Sequence, residues 1–435
     1  MVENDGLRDA ALAYHCQDRA GKLAIRATKP LSGPNELSLA YSPGVAYPSL
    51  AIAANPAAAA TYTARNNLVA VITNGTAVLG LGDIGPLAAK PVMEGKAVLF
   101  KTFADIDVFD IEIDERDPQL FIDTVVRLQP TFAGINLEDI AAPECFTIEE
   151  GLRQRLSIPV FHDDQHGTAV VVAATVINAL YYTGKQLDSV KLVVSGAGAA
   201  ALACCQQLLA MGLPQGNITV CDAAGVIYRG RRERMNHYKA AFAADTDART
   251  LAEALQGADI FLGLSVAGAL QPQWLAAMRD KPLIMALANP QPEILPALVQ
   301  AVRPDALVAT GRSDFANQVN NVLCFPFLFR GLLDAGVSTV ERSLLTAAAH
   351  AIAGLARRSP LPEVEALYGN VSLAFNGDNL IPKPFDPRLL EEVAAAVAET
   401  AMAQGIAARP LQDVTSYRQT LRQLGWALFT QRQQG

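Results

Sequence analysis

The sequence predicts an α/β protein with an N-terminal α/β catalytic domain, a doubly wound Rossmann-type dinucleotide-binding domain, and C-terminal helices that pack back onto the body. Three observations carry this. At 435 residues the chain exceeds what one hydrophobic core usually serves. From Lys191 onward strand-like and helix-like runs alternate strictly. Upstream, two buried strand-like runs each end in a pair of acids.

Hydrophobic residues make up 51% and aromatics only 6%, which suits a helix-rich α/β enzyme rather than a disordered or fibrous chain. A net charge of −8 gives no electrostatic footprint for nucleic acid or an anionic membrane. The six cysteines show no metal or redox spacing and read as reduced core thiols. The acidic N-terminus lacks the pattern of a signal peptide, and the longest apolar run, Ala169 to Tyr182, is too short to span a bilayer. A cytoplasmic enzyme acting on a small molecule is expected.

The elements follow in order. Strands are expected at "LVAVI" (68–72), "AVLF" (97–100) and "DVFDIEI" (107–113), then at "TFAGIN" (131–136) and "IPVF" (158–161). The apolar run "VVVAATVINALYY" (170–182) reads as a helix. "KLVVSG", "NITVCD", "DIFLGLS", "LIMALAN" and "ALVATG" read as parallel strands, with "AAALACCQQLLAMG" and "TLAEALQG" as helices between them. Beyond Cys324 the pattern is mostly helical, and the last stretch reads as a helix or linker. The expected division is a catalytic domain over 1–157, a dinucleotide domain over 158–385, and a helical segment over 386–435.

Two glycine signatures compete for a dinucleotide. "GLGDIG" (Gly80, Gly82, Gly85) is the stricter match, but Pro86, Pro91 and Gly95 follow it, so no continuous helix is expected there. "SGAGAAA" places Gly196, Ala197, Gly198, Ala199, Ala200 and Ala201 between an apolar strand and an unbroken helix, and the next strand ends in Asp222, a position that commonly grips the adenosine ribose. That acid favours NAD, while Arg229, Arg231 and Arg232 could serve the 2′-phosphate of NADP, and the choice stays open.

The acids that end the two earlier strands are Glu138 and Asp139 in "LEDI", and Asp163 and Asp164 in "HDDQH". In open α/β sheets ligands collect at the carboxyl ends of strands, where acids from different strands converge. Glu138, Asp139 and one of Asp163 or Asp164 would form an all-oxygen set suited to Mg²⁺ or Mn²⁺. Helix capping accounts for one of these acids but not for both pairs. His162 and His166 lie beside them, where structural hydrogen bonding is the plainer role.

Seven motifs in one order, "YSPGVA", "GTAVLGLGDIG", "KPVMEGKAVLFK", "GINLEDI", "FHDDQHGTA", "VVSGAGAAA" and "GRSDFANQVNNVLCFPF", resemble those of bacterial malic enzymes over roughly residues 12 to 410. The final segment resembles the joining region of the long bacterial forms, whose following phosphotransacetylase-like domain is absent from this sequence. The resemblance implies oxidative decarboxylation of L-malate to pyruvate and CO₂ with reduction of NAD or NADP, dependent on Mg²⁺ or Mn²⁺. It implies metal ligation by Glu138, Asp139 and Asp164, with Asp163 as a supporting catalytic acid, Lys96 as the base that takes the hydroxyl proton at a pKa brought toward neutrality, and Tyr41 as the donor to the enolpyruvate carbon. Asn289 and Asn320 are implied at substrate and nicotinamide, with Asn321 at substrate. Animal relatives carry an arginine for a malate carboxylate where Ala77 stands here. A homodimer or larger homo-oligomer is implied as well. Against this stand a metal-free two-domain dehydrogenase, which needs no carboxylate cluster, and a catalytically dead homologue, which needs neither Lys96 nor Tyr41.

Overall fold

The computed structural model describes residues 5–17 and 19–434. Two parallel sheets organise it. The first has order β2-β1-β3-β4, built from β1 (Leu68–Thr73), β2 (Asp107–Glu112), β3 (Gly134–Leu137) and β4 (Val160–His162), all parallel. Strand β1 is buried on both faces. Val69 and Val71 enter one core, while Leu68, Ala70 and Ile72 enter another with the helices Pro118–Leu128 and Glu144–Arg155, as the two-residue period of a strand requires.

The second sheet comprises β5 (Leu192–Ser195), β6 (Ile218–Asp222), β7 (Gly225–Val226), β8 (Ile260–Gly263), β9 (Leu283–Ala286) and β10 (Leu307–Thr310), in the order β10-β9-β8-β5-β6-β7. All pairs are parallel except β6 with β7. Setting β7 aside, this is the doubly wound order 2-1-3-4-5, whose direction reverses between β5 and β8 and so opens a crevice at their carboxyl ends. The first sheet reverses in the same way between β1 and β3, and its own crevice opens beside Leu137.

Two expectations fail in one segment. "AVLF" is not a strand, and the chain after Gly85 is not broken: Pro86–Ala104 is a single 19-residue helix. Pro86 sits in the first turn, where its missing N–H costs nothing. Pro91 removes an interior hydrogen bond, but Ala89, Met93, Ala97, Phe100 and Ala104 recur at helical spacing and are buried, so packing overrides the local breaker. Phe100 alone meets Phe325 and Phe329 at ring-centroid distances of 4.8 and 5.2 Å. The fingerprint "GLGDIG" therefore does precede a helix, but it lies beside the first sheet, and a Cβ on Gly80 would stand 2.4 Å from the Asn289 carbonyl oxygen.

Strand β4 pairs with β3, so the first sheet extends past the boundary expected at residue 157. The C-terminal helices pack back as expected. Arg388–Ala403 buries Leu389, Leu390, Val393 and Val397 in the same core as Phe325–Ala335 and Arg342–Ala356, and Val414–Gln434 is a helix rather than a linker. Gly331 allows a close helix contact, since a Cβ there would meet the Ala394 carbonyl oxygen at 2.5 Å. No described helix is long and apolar enough to cross a membrane.

Candidate functional site

The acids expected at the strand ends converge. After β3 the chain turns at Asp139, whose φ of 54° lies in the left-handed region that an aspartate tolerates better than most residues. After β4 it enters a π-helical turn, Asp163–Gly167, before the buried helix Thr168–Thr183. Such turns occur often at functional sites because they aim side chains that an α-helix would point elsewhere. One carboxylate oxygen from each of Glu138, Asp139 and Asp164 falls within 4.8 Å of the others. The Asp139 backbone N–H donates to Asp164 Oδ2 at 2.8 Å, tying the two loops together.

Asp163 points away from this set. Its Oδ2 accepts from Lys96 Nζ at 2.6 Å and from Asn321 Nδ2 at 2.8 Å, and its side chain is fully buried. Lys96 Nζ also lies 2.9 Å from Glu138 Oε1 and 4.3 Å from the centre of the Phe325 ring. Glu138 in turn accepts from Asn136 Nδ2 at 2.9 Å, a donor that the sequence reading missed. Lys96 thus bridges Asp163 and one member of the convergent set.

The electrostatics follow from burial. Burial, with Asp164 close by, pushes the Asp139 carboxyl up to about 7. Burial also raises Glu138, further helped by Asp164 and Asp163, and only partly opposed by Lys96. For Lys96, burial acts downward but is outweighed by Asp163 and Glu138, so its ammonium is held well above the ordinary lysine range. This corrects the expectation of a Lys96 pKa near neutrality: desolvation was foreseen, but two carboxylates in direct contact were not.

A hard divalent cation fits these residues. Asp139 Oδ2 is buried and accepts no hydrogen bond, and three carboxylates converge on one point. Oxygen donors alone suit Mg²⁺ or Mn²⁺. The histidines do not join them. Glu149 Oε1 accepts from His166 Nε2 at 2.6 Å and Glu149 Oε2 accepts from Gln165 Nε2 at 3.0 Å, so this pair anchors the turn from behind. His162 is buried, and burial lowers its pKa. Ala77 donates its N–H to the Asp139 carbonyl and offers no side chain for a carboxylate.

The second crevice has the features of a dinucleotide cradle. Gly196 has φ 116°, and a Cβ there would stand 2.2 Å from the Leu264 carbonyl oxygen, so only glycine lets the turn press against the end of β8. Gly198 precedes the helix Ala199–Ala210 and offers no side-chain cap, which leaves the helix N–H groups for a phosphate. Ala197, Ala199 and Ala200 are half-buried along this turn, and Ala201 is buried against the sheet. Asp222 ends β6 as expected, but both of its oxygens are engaged, Oδ1 by Arg231 at 2.6 Å and Oδ2 by Lys239 at 2.7 Å. Its pKa is depressed because those hydrogen bonds outweigh burial. Arg229 and Arg232 are exposed. Lys239, seventeen residues from Asp222, had no local signal in the sequence.

Of the three asparagines, Asn321 reaches Asp163. Asn320 instead accepts from the Val322 N–H and caps the short turn that follows. Asn289 is exposed at the end of β9 beside Gly311, where a Cβ would meet its Nδ2 at 2.9 Å. Tyr41 caps the helix Pro34–Ala40 and is 71% exposed, and its hydroxyl makes no hydrogen bond among the described residues.

The profile described as malic enzyme, N-terminal domain, matches residues 20–153, and that described as malic enzyme, NAD binding domain, matches residues 165–374. An NADP-dependent malic enzyme of Halomonas elongata is 53% identical over 407 residues, covering 93% of this chain and 96% of its own. The chain belongs to the malic enzyme family. An NAD-dependent malic enzyme of Rhizobium meliloti is 58% identical over 407 residues, covering 94% of this chain and 53% of its own. The chain thus spans about half the length of such long relatives. The crystal structure of the malic enzyme from Pyrococcus horikoshii superposes with a TM-score of 0.87 at 39% identity, covering 98% of this chain and 96% of that one. Within the family, the two profiles meet between residues 153 and 165, at the strand that completes the first sheet.

Proposed function

We propose that this chain oxidatively decarboxylates L-malate to pyruvate and CO₂ with reduction of a nicotinamide dinucleotide, NADP in preference to NAD. The observation that carries the reading is Lys96, wedged between Asp163 and Glu138 beside three convergent carboxylates. A metal-free dehydrogenase would have no use for that cluster.

Glu138, Asp139 and Asp164 would hold Mg²⁺ or Mn²⁺, which supplies Lewis-acid polarisation of the substrate's C2 oxygen and, after oxidation, of the ketone. The turn at Gly196–Ala201 would hold the dinucleotide, which accepts the hydride from C2. The proton leaving the C2 hydroxyl passes to Lys96 as Lys96 hands one of its own to Asp163, so the lysine stays charged and the acid ends protonated, and Asn321 fixes the acid that orients the lysine. Burial of the pair excludes water that would compete for that proton. Tyr41 is assigned the later protonation at C3 on resemblance, and that step needs its segment brought over the acids, from this chain or from a second copy. Asn289 and Asn320 are assigned to substrate and nicotinamide in the same way.

The preference for NADP follows from Asp222. With both oxygens committed to Arg231 and Lys239, it is a poor acceptor for a ribose hydroxyl, while Lys239, the more exposed of the two cations, suits a 2′-phosphate. Self-association is supported by the N-terminal segment, where Leu31, Leu37, Leu39, Tyr47 and Leu50 are exposed. Cytoplasmic placement is supported by the cysteines, five of which are buried free thiols.

The test is a steady-state assay of malate with each dinucleotide, with and without Mn²⁺, scoring both pyruvate and reduced cofactor. Pyruvate formed in step with NADPH, only when metal is present, is the expected result. Malate oxidation that survives complete chelation would sink the proposal.

A further inference from the structure

Glu293 is a buried carboxylate that the proposed chemistry does not use. It is 0% exposed, seven residues beyond the end of β9, and no ion pair to it is seen among the described residues. Its Oε1 accepts from the Ser265 N–H at 2.8 Å and from the Ser265 hydroxyl at 3.0 Å, and its Oε2 accepts from the Ala288 N–H at 3.1 Å. The Ser265 hydroxyl also meets that of Ser195 at 3.0 Å. Ser195 ends β5, Ser265 follows β8 and Ala288 follows β9, so one carboxylate knits together the ends of three adjacent strands. Two of these, β5 and β8, flank the crevice where the strand order reverses.

Two close approaches show how this network is seated. A Cβ at Gly263 would stand 2.4 Å from the Glu293 carboxyl carbon, so the acid rests directly on the end of β8. One residue further on, the Leu264 carbonyl is the atom against which Gly196 presses. The contacts therefore run from the glycine turn through Leu264 and Ser265 to Glu293, and on through Ala288 to Asn289. Burying a carboxylate without a cation is costly, and an apolar side chain would fill the same space without that cost. What the carboxylate adds is three directed hydrogen bonds that fix one strand-end loop against another.

We propose that Glu293 is a positioning residue for the dinucleotide site, setting the spacing between the glycine turn at Gly196–Ala201 and the Asn289 loop. This rests on the reading of that crevice as a dinucleotide site. It acts through Ser265 and Ala288 and touches neither the acids nor Lys96.

Glu293→Gln keeps the shape but turns an amide N–H toward a backbone N–H, leaving a buried donor without an acceptor. The expected result is NADPH binding weakened on the order of tenfold in a fluorescence titration, with KM for NADP raised in step. Mn²⁺-dependent decarboxylation of oxaloacetate, which transfers no hydride, should stay at the wild-type rate. Ser265→Ala removes one donor and leaves the acid in place. It should weaken NADPH binding in the same direction by about threefold, and it serves as the deciding variant should Glu293→Gln fail to fold. Unchanged NADPH binding in the folded variant, or loss of oxaloacetate decarboxylation in parallel with loss of binding, would overturn the proposal. Wild-type protein that binds NADPH but does not oxidise malate would refute the proposed function while leaving the binding comparison intact.

Discussion

Lys96 Nζ lies 2.6 Å from Asp163 Oδ2 and, on its other side, 2.9 Å from Glu138 Oε1, so one buried ammonium joins Asp163 to the set of convergent carboxylates. Neither carboxylate can lose this partner cheaply, because each is almost wholly excluded from water. Lys96→Ala should lower kcat by about a thousandfold, in the range that a positioned acid or base contributes. Asp163→Asn should fall in the same range, and circular dichroism on both variants checks that the fold is retained. Lys96→Ala turning over malate at the wild-type rate would refute the assignment.

Gly167 sits under Asp163. A Cβ there would stand 1.9 Å from Asp163 Oδ1, closer than any real contact. Gly167→Ala should therefore displace the acid and cut kcat by roughly a hundredfold or more, while the buried helix that follows still forms. Steady-state kinetics and a thermal melt on the same sample test this.

Lys239 supplies one of the two cations at Asp222. Lys239→Gln should raise KM for NADP by about tenfold and leave KM for NAD nearly unchanged, since the loss of one charge-assisted bond to a phosphate is worth roughly 1.5 to 3 kcal/mol. Equal changes with both cofactors would mean that the lysine only holds Asp222.

The same carboxylate gives a pH dependence. Burial opposes its ionisation, but the hydrogen bonds from Lys239 and Arg231 win and depress its folded pKa below the unfolded value. A depressed acid contributes stability above its unfolded pKa and loses it as pH falls through the folded pKa. Asp222→Asn should thus lower the melting temperature at pH 7, and the gap to wild type should narrow as the pH is taken below about 4. A constant gap across that range would show that the ion pairs contribute nothing.

Much of the site was legible because its chemistry is local. Glu138 with Asp139 and Asp163 with Asp164 each follow an apolar strand directly, and strand ends in open sheets are where ligands sit. The Gly196 turn was legible for the same reason, with strand, glycines and helix contiguous in the chain. What the sequence hid depends on contacts between distant segments. The helix Pro86–Ala104 survives Pro91 because its buried face meets Phe325 and Phe329, more than two hundred residues away, and no window around "AVLF" contains that information. The charge state of Lys96 was misjudged similarly, since the lysine lies 42 residues from Glu138 and 67 from Asp163. Lys239 and Glu293 were missed because each meets its partners only once the second sheet is assembled.

Glu138, Asp139 and Asp164 are proposed to hold one divalent cation beside Lys96. Anomalous diffraction from crystals equilibrated with Mn²⁺ tests it most directly. The expected result is a single manganese peak with one oxygen of each of the three carboxylates at about 2.2 Å, lost in Asp139→Asn. A manganese peak elsewhere, or the same peak persisting with those side chains turned away from it, would contradict it.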